Sequence, residues 1–532
     1  MPIQPLTGGG GGTETTADVC LVLEGSYPYV RGGVSSWVHD LMMGLPDLKF
    51  SLMTLVATEA DLKRAYTLPP NVIALEEVVL AAPLVAPERP YRLPDGFLER
   101  VRRLHGLMAS DPKEALTLMK QFLAEPFCTG PANDGFLRAL AGKEAWDLLL
   151  ELYASRRMDD CSFNAYFYTF LNSHLRLFMA LRARLLPARV YHAISTGYAG
   201  ALAASSSLRS GRPLALTEHG LYTNERNLDI TASEWLEGRP GRAGVVFSAA
   251  LGKIRQTWMK LFEWMGRLTY DQARVVTTLF EGNRRMQIEA GADPGRTRVI
   301  PNGVDFEGLS ALPRTSDPAA PVVALVGRVV PIKDLRTFIK ACALAARRLP
   351  AACFEVLGPY EEDPIYHAAC VELVRELGIE ARFHFRGHVN LREHFPRMTL
   401  CVLTSMSEGL PLVMLESMAC GVPNVATRVG ACEELLLGRT LQDRALGPAG
   451  IATGVSAPEE TADAIVRLLS DPELYGAMAR SARKRVELYY TRTDVLAQYR
   501  RLYEELIGAP EPAAPASPHA HAPHETAPGS AG

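Results

Sequence analysis

The sequence predicts an α/β protein of two Rossmann-like domains facing a central cleft, with a helical insert in the first domain. Three observations carry this prediction. Short apolar runs alternate with stretches of helical periodicity along most of the chain, the mark of parallel α/β layers. The alternation breaks only between about residues 84 and 186, where helical spacing continues without strands. At 532 residues the chain exceeds one ordinary core and divides into two or more domains.

Taken in order, residues 1–17 are Gly/Thr-rich and the tail 509–532 is Pro/Ala/His-rich, and both are expected to be disordered. The first strand is predicted over 19–23 and runs into Gly32-Gly33. Val34, Val38, Leu41 and Met42 then recur at helical spacing. Strands follow over 50–56 and 72–75, then the insert, whose stretches 97–108 and 165–185 read as helices. Strands at 190–194, 214–218, 275–278 and 298–300, with a long helix near 251–268, complete a first domain over 18–318. A second domain over 319–485 has strands at 322–326, 352–357, 383–386, 400–403 and 424–427. In such sheets ligands bind beyond the carboxyl ends of strands, so residues after those runs are the candidates for function.

Composition narrows the classes. The chain is 48% hydrophobic and 22% charged, which is globular. A net charge of −3 gives no basic surface for nucleic acid. Nine scattered cysteines without a Cys-x-x-Cys pair read as buried free thiols in a reducing compartment. No secretory signal and no run of eighteen apolar residues is visible, so a cytosolic chain without a spanning helix is expected. The tail histidines 519, 521 and 524 suggest fortuitous metal affinity at most.

The densest chemistry lies in 404–423. Glu408 precedes Gly409 and Pro411 in the loop after a predicted strand, and Glu416 follows within the helix that Pro411 can open. An anion site at a helix N-terminus between two carboxylates suits a nucleotide diphosphate carrying hydroxyl-rich groups. Arg328 and Lys333 follow the 322–326 strand and would supply two cations to a leaving diphosphate, one as a planar fork and one as a movable point charge. Gly32 and Gly33 would let backbone approach phosphate closely. His219 ends the 214–218 strand, and His388 follows the 383–386 strand. A dinucleotide oxidoreductase is set aside because no Gly-x-Gly-x-x-Gly follows the first strand.

Glu408-Gly409, then Glu416 and Met418-Ala419-Cys420-Gly421-Val422-Pro423, resemble the signature of glycosyltransferase family four, retaining enzymes of the two-domain GT-B arrangement. Gly327-Arg328 with Lys333 resembles that family's diphosphate clamp, and 301–305 (Pro-Asn-Gly-Val-Asp) resembles its hinge segment. The segments 23–37, 217–223 and 328–334 are similar to its cytosolic exopolysaccharide-synthesising members. The resemblance spans roughly 18–508. It implies a hexosyl or N-acetylhexosaminyl transfer from a UDP-sugar to a polysaccharide acceptor, no cofactor, no metal, and a helix over 486–508 (within helices at about 472–507) crossing back to the first domain.

It also implies roles. Glu408 would face the donor sugar and Glu416 the ribose. Gly409 and Leu410 would offer amides to phosphate, and His388 would border the base. His219 would lie near the reacting carbon. Glu24, Tyr27 and Tyr29 would line the acceptor cleft. Reaction on one face, with the acceptor proton passing to the leaving phosphate, and a covalent intermediate on Glu408 are both open. Because the product must cross a membrane, an inner-membrane synthase or export complex is the expected partner. The competing reading is a non-catalytic nucleotide-sugar sensor. The intact Glu408/Glu416 pair and Arg328/Lys333 clamp argue against it.

Overall fold

The computed structural model describes residues 15–81, 95–125, 142–155, 162–181, 183–226 and 247–508. The expected disorder at 1–14 and 509–532, the tail histidines and parts of the insert lie outside the described residues. Thirteen strands form two parallel sheets. The first has the order β3-β2-β1-β4-β5-β6-β7, built from β1 (Ala17–Glu24), β2 (Phe50–Val56), β3 (Val72–Val79), β4 (Ala188–Ala193), β5 (Leu214–Glu218), β6 (Val275–Thr278) and β7 (Thr297–Val299). The second has the order β10-β9-β8-β11-β12-β13, from β8 (Val322–Val326), β9 (Cys353–Leu357), β10 (Phe383–Gly387), β11 (Leu400–Leu403), β12 (Asn424–Thr427) and β13 (Gly450–Thr453). Ala17 already lies in β1, inside the stretch expected to be disordered. β13 is a strand the periodicity did not predict.

Both faces of each sheet are covered, so the strands read as continuous apolar runs. On one face of the first sheet, Cys20 and Val22 of β1 share a core with Leu123, Leu149, Tyr166 and Met179 of the insert. The insert is therefore a layer of the first domain and not a separate body. The helix Gly33–Gly44 and the last helix, Arg492–Gly508, cover the other face, burying Val38, Leu41, Val495, Tyr499 and Tyr503 against Val19, Leu21 and Leu23. The preceding helix, Pro472–Tyr489, stays with the second domain through Ala482 and Val486. Only the last of the two terminal helices crosses.

That crossing is fixed by polar contacts as well as area. His192 is hydrogen-bonded to Tyr503 Oη at 2.8 Å and to Thr217 Oγ1 at 2.7 Å. Arg298 and Arg500 form forked pairs with Glu505 and Asp47 across the seam. The two linkers between domains run side by side: Val304 N–H donates to Tyr490 O, and Arg492 N–H donates to Val304 O, each at 2.9 Å. A side chain at Gly303 would strike Thr491 O at 2.6 Å, so glycine is what lets the linkers touch.

Arg485 of the second domain is fully buried. Its Nε donates to Asp443 Oδ1 at 2.5 Å, and its other nitrogens donate to the carbonyls of Leu435, Leu436, Asp443 and Gly447. Every donor that burial strips of water thus finds an acceptor. Arg485→Ala leaves the Asp443 carboxylate buried without its counter-charge, held only by the Arg439 N–H, and should destabilise the second domain by about 3–5 kcal/mol. Urea unfolding monitored by circular dichroism measures this. A loss below about 1 kcal/mol would contradict the account.

Candidate functional site

The loops that carry chemistry leave the carboxyl ends of β1 and β5 in one sheet and of β8 and β11 in the other. β8 and β11 are adjacent although not consecutive, the topological switch where open α/β sheets bind ligands. The structure therefore brings Lys333, after β8, to Glu408, after β11. Lys333 Nζ donates to Glu408 Oε1 at 2.6 Å, and Ser405 Oγ donates to the same oxygen at 2.6 Å. The Glu408 side chain is only 11% exposed, so its pairing occurs largely out of water.

Neighbouring turns hold this pair rigid. Asp334 takes a left-handed conformation at φ 44, and its carboxylate accepts from Thr337 N and Oγ1, capping the helix Leu335–Ala346. Thr404 Oγ1 donates to the carbonyls of Lys333 and Asp334, and Thr427 Oγ1 donates to Ser405 O. Gly430, at φ 52, lies under the Glu408 loop, where a Cβ would meet Glu408 O at 2.0 Å. The helix Leu412–Ala419 begins after Pro411 with no side chain capping it, which leaves its first amides for an anion. Glu416 sits on this helix, its pKa raised by burial and drawn down by Arg492 and Arg392. The Leu410 side chain is buried in the second-domain core.

Arg328 is exposed and forked onto Glu362, with both oxygens at 2.7 Å from Nη1. Each proposed clamp cation thus already holds a carboxylate. His388 is exposed beyond β10, two strands from β8. Neither Gly32 nor Gly33 has a positive φ requirement, and a Cβ on either would meet nothing within 4 Å. Packing does not explain this glycine pair.

From the first domain, His219 enters opposite Gly409. A Cβ on Gly409 would lie 2.9 Å from His219 O, so the two domains meet there backbone to backbone. Both His219 ring nitrogens are buried and without a hydrogen-bond partner. Burial pushes its pKa down to about 4, so the ring is neutral near pH 7. The loop is anchored one residue earlier. The buried Glu218 carboxylate accepts from Tyr270 Oη (2.6 Å), Gln287 Nε2 (2.9 Å) and Thr196 Oγ1 (3.0 Å).

The three residues expected at the acceptor cleft each have a partner within the first domain. Tyr27 is fully buried with its Oη hydrogen-bonded to His39, and Tyr29 is 7% exposed with its Oη donating to Glu77 of β3. The 25–32 loop folds back on the β2–β3 side, where Ala65 N–H donates to Pro28 O, so its tyrosines pack on the sheet and not in the cleft. Glu24 is likewise engaged, accepting from Tyr222 Oη at 2.7 Å and from Ala199 N at the start of the helix Tyr198–Ser210. Burial raises its pKa. The sequence reading assigned no role to Ser405, Glu362 and Trp37. Ser405 alone had a usable signal, a hydroxyl side chain three residues before Glu408. Among the described residues no group of three His, Cys, Asp or Glu is placed to hold a metal ion, and no helix is long and apolar enough to cross a membrane.

Residues 17–295 match the family model described as a domain of unknown function (DUF3492), and residues 320–471 match the model for glycosyl transferases group 1. The chain is similar to the D-inositol 3-phosphate glycosyltransferase of Rhodococcus opacus (strain B4), at 30% identity over 43% of this chain and 53% of that protein. It is also similar to that of Mycobacterium tuberculosis (strain ATCC 25177 / H37Ra), at 31% over 44% and 48%. The chain spans about half the length of the curated relatives it matches. Among solved structures it is similar to Anabaena Alr3699/HepE in complex with UDP and glucose, with TM-score 0.53, 15% identity, and 92% of this chain and 99% of that chain covered. The sucrose-phosphate synthase of Thermosynechococcus elongatus gives 0.55, 16%, 92% and 99%. These likenesses show the fold: two parallel-sheet Rossmann-like domains in the GT-B arrangement.

The buried imidazole gives a pH signature. An unfolded histidine titrates near 6.5 and the folded His219 near 4. Below about pH 6.5 the unfolded chain binds a proton that the folded chain refuses, so stability falls as pH drops toward 4. At pH 4.5 His219 should cost about 2–3 kcal/mol relative to pH 7. His219→Gln should lessen the fall in melting temperature between those pH values, and the remainder belongs in part to His192, whose pKa burial pushes down to about 3. An unchanged fall would show that the ring is not buried.

Proposed function

The chain belongs to the DUF3492 family, and from that premise we propose that it is a retaining glycosyltransferase. It moves a hexosyl or N-acetylhexosaminyl unit from a UDP-sugar to a growing exopolysaccharide of the Pel type. One observation carries the reading: the Lys333–Glu408 pair at the β8/β11 switch, in the loop whose Gly409 meets the main chain of His219 from the other domain. The group 1 glycosyl transferase match over 320–471 and the inositol 3-phosphate transferase relatives support transfer chemistry. The UDP and glucose held by HepE, a protein of the same fold, support the donor class. The Pel assignment rests on the resemblance of 23–37, 217–223 and 328–334 to PelF.

The diphosphate displaces carboxylates from the cations. Lys333 exchanges Glu408 for a phosphate oxygen, Arg328 exchanges Glu362, and the open amides of the helix Leu412–Ala419 add about half a positive charge. Glu408, released from Lys333 and still held by Ser405, turns to the sugar hydroxyls, and Glu416 takes the ribose. As the bond from the anomeric carbon to phosphate breaks, the acceptor oxygen bonds to that carbon from the same face. Its proton passes to the departing phosphate oxygen, and UDP leaves. Negative charge grows on the leaving oxygen, so the fixed cations stabilise the transition state more than the ground state. The neutral His219 ring offers a hydrogen bond to the sugar beside the reacting carbon. The product is delivered to an inner-membrane synthase or export complex, because no described helix spans a membrane.

Two experiments test this. In Glu408→Ala, transfer should vanish while UDP affinity, measured by titration calorimetry, is kept or improved, because Lys333 is freed for phosphate. Loss of UDP by Glu408→Ala with retention in Glu416→Ala would reverse the two roles. Excess chelator should leave the rate unchanged, since protein cations supply the charge. Lys333→Ala or Arg328→Ala should cost roughly a hundredfold or more. A chelator-sensitive rate restored by magnesium would overturn the electrostatic account.

A further inference from the structure

Trp37 lies one turn into the helix that Gly33 opens, and its indole touches three rings from three other elements. The His219 ring is 4.7 Å away at 75°, Tyr499 of the last helix is 5.3 Å away at 69°, and His192 of β4 is 6.3 Å away at 87°. All three contacts are edge-to-face, the arrangement favoured by the ring quadrupole. These partners differ in what else holds them. His192 is hydrogen-bonded at both nitrogens, and Tyr499 Oη lies within hydrogen-bond distance of Thr217 Oγ1. His219 has no hydrogen bond at either nitrogen. Its main chain is hemmed in by Gly409, but nothing polar sets its ring torsion.

We infer that Trp37 is the positioning residue of the site: its indole sets the His219 imidazole toward the cleft and ties that orientation to the helix behind the Gly32-Gly33 loop. This rests on the transferase reading above for what His219 does, but not for how His219 is held. An imidazole with both nitrogens buried and bare is stable in one orientation only if packing supplies what hydrogen bonds do not. Trp37 is the ring packed edge-to-face against it. A cavity of about 50 Å³ beside the indole is lined by Ser36, Asn302, Leu412, Arg492 and Tyr499, residues drawn from both domains and the crossing helix. The indole is therefore packed against His219 on one side and bordered by space at the domain seam on the other. A shift of the helix Gly33–Gly44 when the glycine loop meets a diphosphate carries the indole, and His219 with it. The glycine loop and the reacting carbon are then adjusted together, although the loop does not touch His219.

The test uses the full chain with Trp37→Phe and Trp37→Leu. Trp37→Leu should lower kcat by roughly tenfold or more, the scale of a modest misplacement of a reacting group. UDP affinity should stay within about twofold, because Trp37→Leu leaves the Gly32-Gly33 main chain and the second-domain groups Lys333, Arg328 and Glu416 unchanged. Trp37→Phe should restore most of kcat, since a smaller ring keeps an edge for His219. Melting temperatures of both variants separate misplacement from unfolding. A second readout needs no turnover: hydrogen exchange at the imidazole C2 of His219, followed by mass spectrometry, should change in Trp37→Leu and return toward wild type in Trp37→Phe. Unchanged exchange in Trp37→Leu overturns the inference, as does equal loss of kcat and UDP affinity, or a folded Trp37→Phe no better than Trp37→Leu. If the wild type transfers no sugar from any UDP-sugar while the exchange shifts as stated, the transferase reading fails and the positioning role stands.

Discussion

The approach of Gly409 to the His219 carbonyl sets the dimensions of the whole site. The two loops belong to different domains, and at this point they meet without an intervening side chain. Any residue other than glycine at 409 would wedge the domains apart where a sugar must be gripped from both sides. Gly430 applies the same condition below, carrying the Glu408 loop on a left-handed turn. Gly303 applies it at the linkers, where the chain passes between domains twice within hydrogen-bond reach. The approach of the two domains is thus set by main chain at Gly409 and Gly303, while Gly430 fixes the loop that carries Gly409. Side chains tune chemistry inside a frame they do not set.

Within that frame the two domains contribute opposite electrostatics. The second offers cations and an open helix N-terminus, and the first offers a neutral imidazole above a buried carboxylate whose acceptor sites are filled. This division has a physical reason. A protonated His219 would be a charge without water or a hydrogen-bond partner at either nitrogen, which burial penalises. Burial keeps the ring neutral. Glu218, fully hydrogen-bonded, fixes the loop while sending no unpaired donor or acceptor into the cleft.

Much of the fold was legible in the sequence because most strands are buried on both faces and read as apolar runs, as in Leu400–Leu403. β13 was not, because Gly-Ile-Ala-Thr owes its strand state to pairing with β12 and not to its own propensity. Lys333, Glu408 and His219 could be picked out because strand ends are where such sheets bind ligands, and that rule needs no contact information. The partners of Tyr27 and Tyr29 were not legible for the complementary reason: nearness to a glycine loop does not say which way the loop folds. Nor could any local pattern show Trp37 meeting Tyr499, or His192 meeting Tyr503, since those partners lie hundreds of residues apart.

The last helix, Arg492–Gly508, carries a burden in biosynthesis. Val19, Leu21 and Leu23 of β1 are covered by Val495, Tyr499 and Tyr503, which are made hundreds of residues later. The first sheet is complete once β7 has emerged, yet one of its faces lacks part of its cover until the chain has grown through Gly508. At about 5–20 residues per second that interval is about 10–40 s. During it the nascent protein presents an apolar face that a ribosome-associated chaperone would shield.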